Sequence, residues 1–186
     1  MTSFVRHRIE LIGDPEDVAV AKIMLSMPER ARSIDFDPVA AAREIHSQDS
    51  GAESEFRRSN FSLYNIDSPT GEELTRYALS EAGLSDDNYS TQWQIQHWGV
   101  KARKFEGYLV EESLGHIEYS LETGWATPFT ALCTLSTLFP AVMIKVEWWS
   151  ENFEWGRFTL LSGVETFHEI YGFSERPFVD RHPILG

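Results

Sequence analysis

The sequence predicts an α+β fold in which two helices cover one face of an antiparallel sheet, in the β-α-β-β-α-β order of a ferredoxin-like (split βαβ) sandwich. Alternating polar and apolar residues predict strands near residues 4–12, 92–98, 116–123 and 143–149. Apolar residues at three- and four-residue spacing predict helices near residues 15–27 and 128–139. The alternation favours a sheet with one buried face and one outer face.

The first strand and helix follow from local signals. In residues 4–12, Val5, Ile9 and Leu11 share one side of the predicted strand, and charged residues fill the other. Asp14 can accept hydrogen bonds from the first helical N–H groups, and Pro15 suits the first helical position. We therefore expect a half-buried strand that turns directly into a helix.

The middle of the chain is predicted to be an insertion. Residues 28–90 contain polar clusters that separate two predicted helices, Pro38–His46 and Gly71–Ala82. The whole chain, 1–186, is read as a single ferredoxin-like domain with this helical insertion, because its length suits one core.

The regular pattern returns in the second half of the chain. Residues 94–103, QIQHWGVKAR, are read as the end of a central strand that Gly99 terminates. Residues 116–123 form the next strand and residues 143–149 the one after the second helix, followed by an extra C-terminal strand near Arg157 to Leu161. Residues 164–186 are read as a tail.

The outer face of this predicted sheet combines tryptophan with charges of both signs, which is unusual for a merely solvated surface. Its expected members are Arg6, Arg8, Gln94, Gln96, Trp98, Glu118, Glu122, Lys145, Glu147 and Trp149. The predicted interaction residues, on this face and on the loops beside it, are Trp98, Lys101, Arg103, Glu118, Glu122, Trp125, Glu147, Trp149 and Trp155.

Charge is the strongest global feature of the sequence. Sixteen Lys and Arg residues against 29 Asp and Glu residues give a formal net charge of −13. Residues 105–156 hold eight glutamates and one base, Lys145, a surplus of seven negative charges. Direct nucleic-acid binding through a basic face is therefore disfavoured. Solubility is the preferred explanation of the surplus, and the alternative is a negative surface for a partner protein with a basic surface.

Composition also indicates the cellular compartment in which we expect the protein. No apolar run approaches the roughly 20 residues that span a bilayer, and the N-terminus lacks a secretory signal pattern. A single cysteine, Cys133, permits no internal disulfide. We expect a cytoplasmic protein with no membrane association.

Known catalytic motifs are missing from the sequence. There is no phosphate-binding glycine motif, and no set of ligands at metal spacing. Glu118 and Glu122 share a strand face and could in principle form an acid and base pair, but a plain charged face is the preferred interpretation. We assign no catalytic residue, no metal and no cofactor.

Four short blocks resemble the YubB-type ferredoxin-like domain family of phages and conjugative plasmids. They are Trp98-Gly99-Val100-Lys101, Thr123-Gly124-Trp125-Ala126-Thr127-Pro128, Leu138-Phe139-Pro140, and Glu151-Asn152 before Trp155-Gly156. The family usually reads Trp-Gly-Thr-Lys-Trp in the first block and Thr-Ala-Trp-x-x-Pro in the second, so this chain departs at Val100, Ala102 and Gly124. The resemblance implies a cytoplasmic accessory protein of a mobile element, with no assigned reaction.

Two functions remain open at this point. The first is a non-enzymatic accessory protein that binds a host or element protein through an acidic, aromatic surface, including inhibition of a nucleic-acid-handling or defence component. The alternative is a small-ligand-binding protein or enzyme with a pocket lined by Trp98, Lys101, Arg103 and Trp125. A pocket where these four side chains converge would favour the alternative.

Overall fold

The computed structural model describes residues 4–27, 37–48, 61–85, 87–101, 106–151 and 154–171. Within these ranges the strands are β1 (Phe4–Ile12), β2 (Glu106–Ser113), β3 (His116–Gly124), β4 (Met143–Ser150), β5 (Trp155–Leu161) and β6 (Val164–Tyr171). The helices are α1 (Pro15–Ser26), α2 (Pro38–Gln48), α3 (Gly71–Glu81), α4 (Tyr89–Trp98) and α5 (Phe129–Leu138), with a short 3₁₀ turn at Leu63–Asn65.

The six strands form one antiparallel sheet in the order β2-β3-β1-β4-β5-β6. Strands β1 to β4, with α1 after β1 and α5 after β3, have the split βαβ arrangement of a ferredoxin-like sandwich. The predicted fold class is therefore confirmed. The predicted neighbours of β1, near residues 116–123 and 143–149, are its partners in the structure.

The core lies between the sheet and the helices. Apolar residues of β1, β3, β4 and β5 join residues of α1 and α5 in one cluster, in which Ile9, Leu25 and Leu135 are fully buried. Asp14 caps α1 as predicted, since its Oδ1 accepts a hydrogen bond from the Glu16 N–H at 2.9 Å. Both helices thus pack on the same face of the sheet, which leaves the other face without a described helix.

The predicted strand at 92–98 is wrong, because these residues belong to helix α4. The buried residues Ser90, Trp93, Gln94 and Trp98 recur at three- and four-residue spacing, which is the helical period. Gly99 ends the helix in the left-handed conformation (φ 79°), and its N–H bonds to the Ile95 carbonyl. Gln94, Gln96 and Trp98 are therefore absent from the sheet.

Strand β2 takes the place of the misassigned strand. It pairs with β3 at the edge of the sheet through a two-residue turn, since Ser113 lies opposite His116. Gly115 occupies this turn with a φ of 71°. Tyr108 and Val110 of β2 are exposed.

Strand β6 extends the sheet into the predicted tail. Ser162 and Gly163 both have positive φ, 52° and 75°, as a tight hairpin turn requires. Residues Val164–Tyr171 then pair with β5. The remaining predicted tail residues, 172–186, lie outside the described part of the chain.

The insertion contributes to the common core rather than forming a separate one. Phe61, Leu63 and Ile66 are buried in the same cluster as the sheet residues. The Phe61 N–H bonds to the Gly107 carbonyl at 3.2 Å, which ties the insertion to β2. Because α4 precedes β2, the insertion runs past the predicted limit at residue 90.

Candidate functional site

The outer face is defined here as the face of the sheet opposite α1 and α5. Alternation and strand register place charged and aromatic residues on it. Its members on β1, β3, β4, β5 and β6 are Phe4, Arg6, Arg8, Glu10, His116, Glu118, Glu122, Lys145, Glu147, Trp149, Trp155, Arg157, Phe167, Glu169 and Tyr171.

A group of carboxylates surrounds Arg8 at the centre of the outer face. The Arg8 guanidinium donates a hydrogen bond to Glu118 Oε2 at 2.5 Å. It also lies 3.5 Å from a Glu10 oxygen and 3.6 Å from Glu147 Oε2. His116 Nε2 contacts Glu10 at 3.2 Å. Three carboxylates thus share one arginine, and the outer face as a whole has five glutamates against four Lys and Arg residues.

The side chains of Glu118 and Glu147 are less exposed than those of a simple charged surface would be. Both lie on the outer face, as predicted, but the Glu118 side chain is only 4% exposed. Burial raises the pKa of the Glu147 carboxyl; the charge of Arg8 opposes this shift and that of Glu10 adds to it. Glu118 therefore helps to hold Arg8 in place and offers little surface to a partner.

Glu122 is the accessible carboxylate among the predicted residues of β3. It pairs with Arg6 at 3.1 Å, and both side chains are more than 40% exposed, at 41% and 45%. An ion pair this exposed contributes little to stability. Glu122 can exchange Arg6 for a cation of a partner at little cost to the fold.

Three aromatic residues, Trp149, Trp155 and Tyr171, lie side by side at one end of strands β4, β5 and β6; we call this set the aromatic corner. Trp149 is opposite Trp155, and Trp155 is opposite Tyr171, in the strand register. The rings of Trp155 and Tyr171 are stacked, with centroids 4.0 Å apart and planes inclined by 10°. All three are partly exposed. Two exposed acids lie beside these rings: Glu151 directly after β4 and Glu154 directly before β5.

The aromatic corner is held by polar contacts on β5 and β6. The Tyr171 hydroxyl donates a hydrogen bond to Glu169. Arg157 Nε donates to the same carboxylate at 2.7 Å. This bonding raises the pKa of Tyr171 and lowers that of Glu169. The Tyr171 ring is therefore fixed at both its hydroxyl and its stacked face.

The four residues of the alternative pocket are not seen to converge. Trp98 is 3% exposed and packs against Trp93, and its indole N–H donates to the Asp67 carbonyl at 2.9 Å. Lys101 is partly exposed, and Arg103 lies outside the described residues. Trp125 is 66% exposed. Trp98 is thus a core residue rather than part of a surface site.

Trp125 occupies an unusual backbone position. Its φ of 74° lies in the left-handed region, which bulky residues rarely adopt. The turn around it is pinned because Thr123 Oγ1 donates to the Ala126 carbonyl at 2.6 Å and Thr127 Oγ1 contacts His7 Nε2 at 3.1 Å. The turn presents an exposed indole at a conformational cost.

The described residues contain no group of three or more His, Cys, Asp or Glu side chains placed to hold a metal ion. No described helix is long and apolar enough to cross a membrane. Burial raises the pKa of the Cys133 thiol, and Glu165 adds to that shift, so this cysteine is a poor nucleophile at neutral pH.

Several residues of this face are not predicted from the sequence. The sequence places Glu10 on the charged side of β1, but its contacts with Arg8 and His116 appear only in the structure. Glu169 and Tyr171 fell in the predicted tail. The Ser162-Gly163 pair followed by VETFHEIY carried the signal of a hairpin and an edge strand.

The fold and this face define a ferredoxin-like α+β protein with a charged, aromatic sheet surface. No model of a known protein family matches the chain, and no curated protein sequence matches it significantly. Its fold is similar to that of the crystal structure of protein api92 from Yersinia pseudotuberculosis, which is assigned to the family model DUF1281. The TM-score is 0.55 at 11% identity, and the match covers 96% of this chain and 100% of that one. At this identity the likeness shows the fold alone.

Proposed function

We propose that this chain is a non-enzymatic accessory protein of a phage or conjugative plasmid that binds a protein with a basic surface in the host cytoplasm. The outer face of the sheet is the binding surface, and the aromatic corner is its anchor. The mobile-element origin rests on the resemblance of the four sequence blocks. A basic nucleic-acid-handling or defence protein has the charge that such a surface would attract.

The aromatic corner is the observation that carries the proposal. Tyrosine and tryptophan dominate the binding energy of protein interfaces, because they bury a large area at a small entropic cost. Here the rings of Trp155 and Tyr171 are stacked, and the Tyr171 hydroxyl is hydrogen-bonded to Glu169, before any partner arrives. An ordered aromatic surface loses less conformational entropy on binding than a mobile one.

Charge supports a basic partner over a nucleic acid. The chain has a net charge of −13, and the hairpin beside the aromatic corner adds the exposed Glu151 and Glu154. The charge of the whole chain disfavours binding to a phosphate backbone. A basic protein would be attracted by this overall charge and by Glu151 and Glu154, and the attraction would weaken with added salt.

No described feature favours the small-ligand alternative. It required Trp98 in a pocket wall, whereas Trp98 is buried and its indole N–H is already bonded. The groove between α1 and α2 has a volume of about 400 Å³ and is lined by Glu16, Val20, Arg43, Glu44, His46 and Ser47. Five of these six lining residues are polar or charged, and none of them belongs to the predicted pocket.

The proposal is tested by capturing partners from a bacterial host lysate on the immobilised full chain, at low and at physiological salt. A double variant, Glu122→Lys with Glu154→Lys, reverses two exposed charges near the aromatic corner. A matched control, Glu44→Lys with Glu73→Lys, reverses two exposed charges on α2 and α3. We expect the first double variant, and Trp155→Ala, to lose the captured protein while the control retains it.

The salt series separates this mechanism from others. Since the Debye length falls to about 8 Å at physiological ionic strength, capture through the acidic surface should decline as salt rises. Capture that is insensitive to salt and survives the Glu122 and Glu154 reversal would reject the proposed surface. Recovery of a small metabolite instead of a protein would support the alternative.

A further inference from the structure

We infer that the aromatic corner receives an arginine side chain of the partner, with the guanidinium plane against the Trp155 indole and its charge balanced by the neighbouring carboxylates. This inference rests on the proposed function and deepens it, because it names the group that the binding surface recognises.

The first support is that side chains of the protein itself already hold the aromatic corner by hydrogen bonds, before a partner binds. Arg157 bonds to Glu169, and Glu169 accepts the Tyr171 hydroxyl hydrogen bond. The Tyr171 ring then stacks on Trp155 at 4.0 Å. An incoming group therefore meets a preformed aromatic surface rather than side chains that must first be ordered.

The second support is a pair of exposed carboxylates next to the rings. Glu151 directly follows strand β4, two residues after Trp149, and Glu154 directly precedes Trp155. Both residues are exposed. A guanidinium that lies on the Trp155 indole can donate hydrogen bonds to carboxylates beside it.

The third support is the difference between arginine and lysine. A guanidinium is planar and weakly hydrated, so it can lie on an aromatic ring while its N–H groups point sideways to carboxylates. An ammonium is compact and strongly hydrated, and it gains less from a flat aromatic surface. The combination of aromatic rings with acids at their edge thus fits arginine better.

Two arginines of the chain itself are held by an aromatic ring together with a carboxylate. The Arg76 guanidinium lies over the Tyr89 ring at 4.2 Å and bonds to Asp87 at 3.0 Å. Arg157 likewise lies 5.2 Å from the Phe167 ring centroid while it bonds to Glu169. Both are local pairs in which an aromatic ring and a carboxylate together hold a guanidinium.

The test uses two blocked peptides with three cations each, alternating with glycine: one with arginine and one with lysine. Binding to the full chain is measured by titration calorimetry at low salt. We expect the arginine peptide to bind about fivefold more tightly than the lysine peptide. Trp155→Ala should lower the affinity for the arginine peptide about tenfold, and Tyr171→Phe should lower it by a smaller factor.

The control variant is Tyr108→Ala. Tyr108 is 55% exposed and lies opposite Ser120 on edge strand β2, four strands away from β5. At about 4.8 Å per strand it is roughly 19 Å from the corner, so its removal should leave peptide binding unchanged. If Trp155→Ala lowers the stability of the protein, Tyr171→Phe still tests the aromatic corner. This substitution retains the aromatic ring and removes only the hydroxyl that bonds to Glu169.

The outcomes separate the inference from the proposed function. Equal binding of both peptides, weakened by the Glu122 and Glu154 reversal, would overturn the arginine inference and leave the acidic binding surface standing. Binding of neither peptide would overturn the inference, while lysate capture decides the proposed function by itself. Tight binding of a thymidine oligonucleotide that Trp155→Ala abolishes would overturn both, because the corner would then stack bases.

Discussion

Arg8 and Glu118 lie diagonally across strands β1 and β3, and the guanidinium bonds to a carboxylate whose side chain is only 4% exposed. This ion pair is on the face of the sheet that no described helix covers. Desolvating a carboxylate is costly unless it is paired and hydrogen-bonded. The centre of the outer face therefore depends on Arg8 for its structure.

Removing the Glu118 carboxylate should destabilise the protein much more than removing the exposed Glu122 carboxylate. Breaking a buried pair costs roughly 3 to 5 kcal/mol, and Glu118→Ala should fall at the lower end because Arg8 retains Glu10 and Glu147 nearby. Glu122→Ala should cost about 0.2 to 1 kcal/mol. Urea unfolding at neutral pH measures both, and equal losses would show that the Glu118 pair is not buried in solution.

Stability should fall in mildly acidic solution because of His7. Burial lowers the pKa of this imidazole to about 4, against an ordinary value of 6.5. Between these values the unfolded chain binds the proton and the folded chain does not, so acid favours unfolding. The contribution of neutral His7 to the free energy of unfolding is fully present above pH 6.5. It is lost as the pH falls toward about 4, which lowers the free energy of unfolding by about 3 kcal/mol in total.

The variant His7→Gln isolates this effect from that of the carboxylates. Without an imidazole at position 7, the difference in unfolding free energy between wild type and variant should shrink as the pH falls from 7 to 5. Wild-type and variant curves that remain parallel over this range would mean that His7 titrates normally in the folded protein.

Two glycine variants separate backbone strain from steric clash. Gly83 and Gly115 both have positive φ, 67° and 71°. A Cβ at Gly83 meets nothing within 4 Å, whereas one at Gly115 would lie 2.6 Å from the Gly13 carbonyl oxygen. Gly83→Ala should cost about 1 to 2 kcal/mol and Gly115→Ala clearly more, in thermal unfolding. Similar costs would indicate that the β2–β3 turn relaxes around the new methyl group.

Leu135→Ala should destabilise the protein by about 2 to 5 kcal/mol, because the side chain is fully buried between α5 and the sheet and its loss leaves a cavity. Leu79→Ala is the matched control, since Leu79 is 44% exposed on α3. It should change stability by less than about 0.5 kcal/mol. A denaturant midpoint for Leu135→Ala that matches the control would place Leu135 outside the core.

Most of the fold could be predicted from the sequence because its inner strands are half-buried and alternate clearly. The failure at residues 92–98 has a physical cause: in QWQIQHW, Trp93 and His97 satisfy both the two-residue and the four-residue period. Their rings are in fact stacked at 4.1 Å along one side of helix α4. Seven residues were too few to separate the two periods.

Edge strands were harder to predict than central ones. Residues of β2 and β6 are mostly exposed on both faces, so they lack the buried alternation that marks β1. The turns gave the better signal, namely Leu114-Gly115 and Ser162-Gly163. The position of Trp149 on the outer face could be predicted from the alternation in residues 143–149, whereas that of Tyr171 required the pairing of β6 with β5.

The position of β1 in the sheet has a consequence for synthesis of the chain. Strand β1 is synthesised before both of its partners; His7 and Leu121, for example, are 114 residues apart. The half-apolar strand β1 must therefore wait until these later segments have been synthesised before it can pair. The nascent chain exposes Val5, Ile9 and Leu11 during that interval, so these residues are where premature association is expected until β3 and β4 are present.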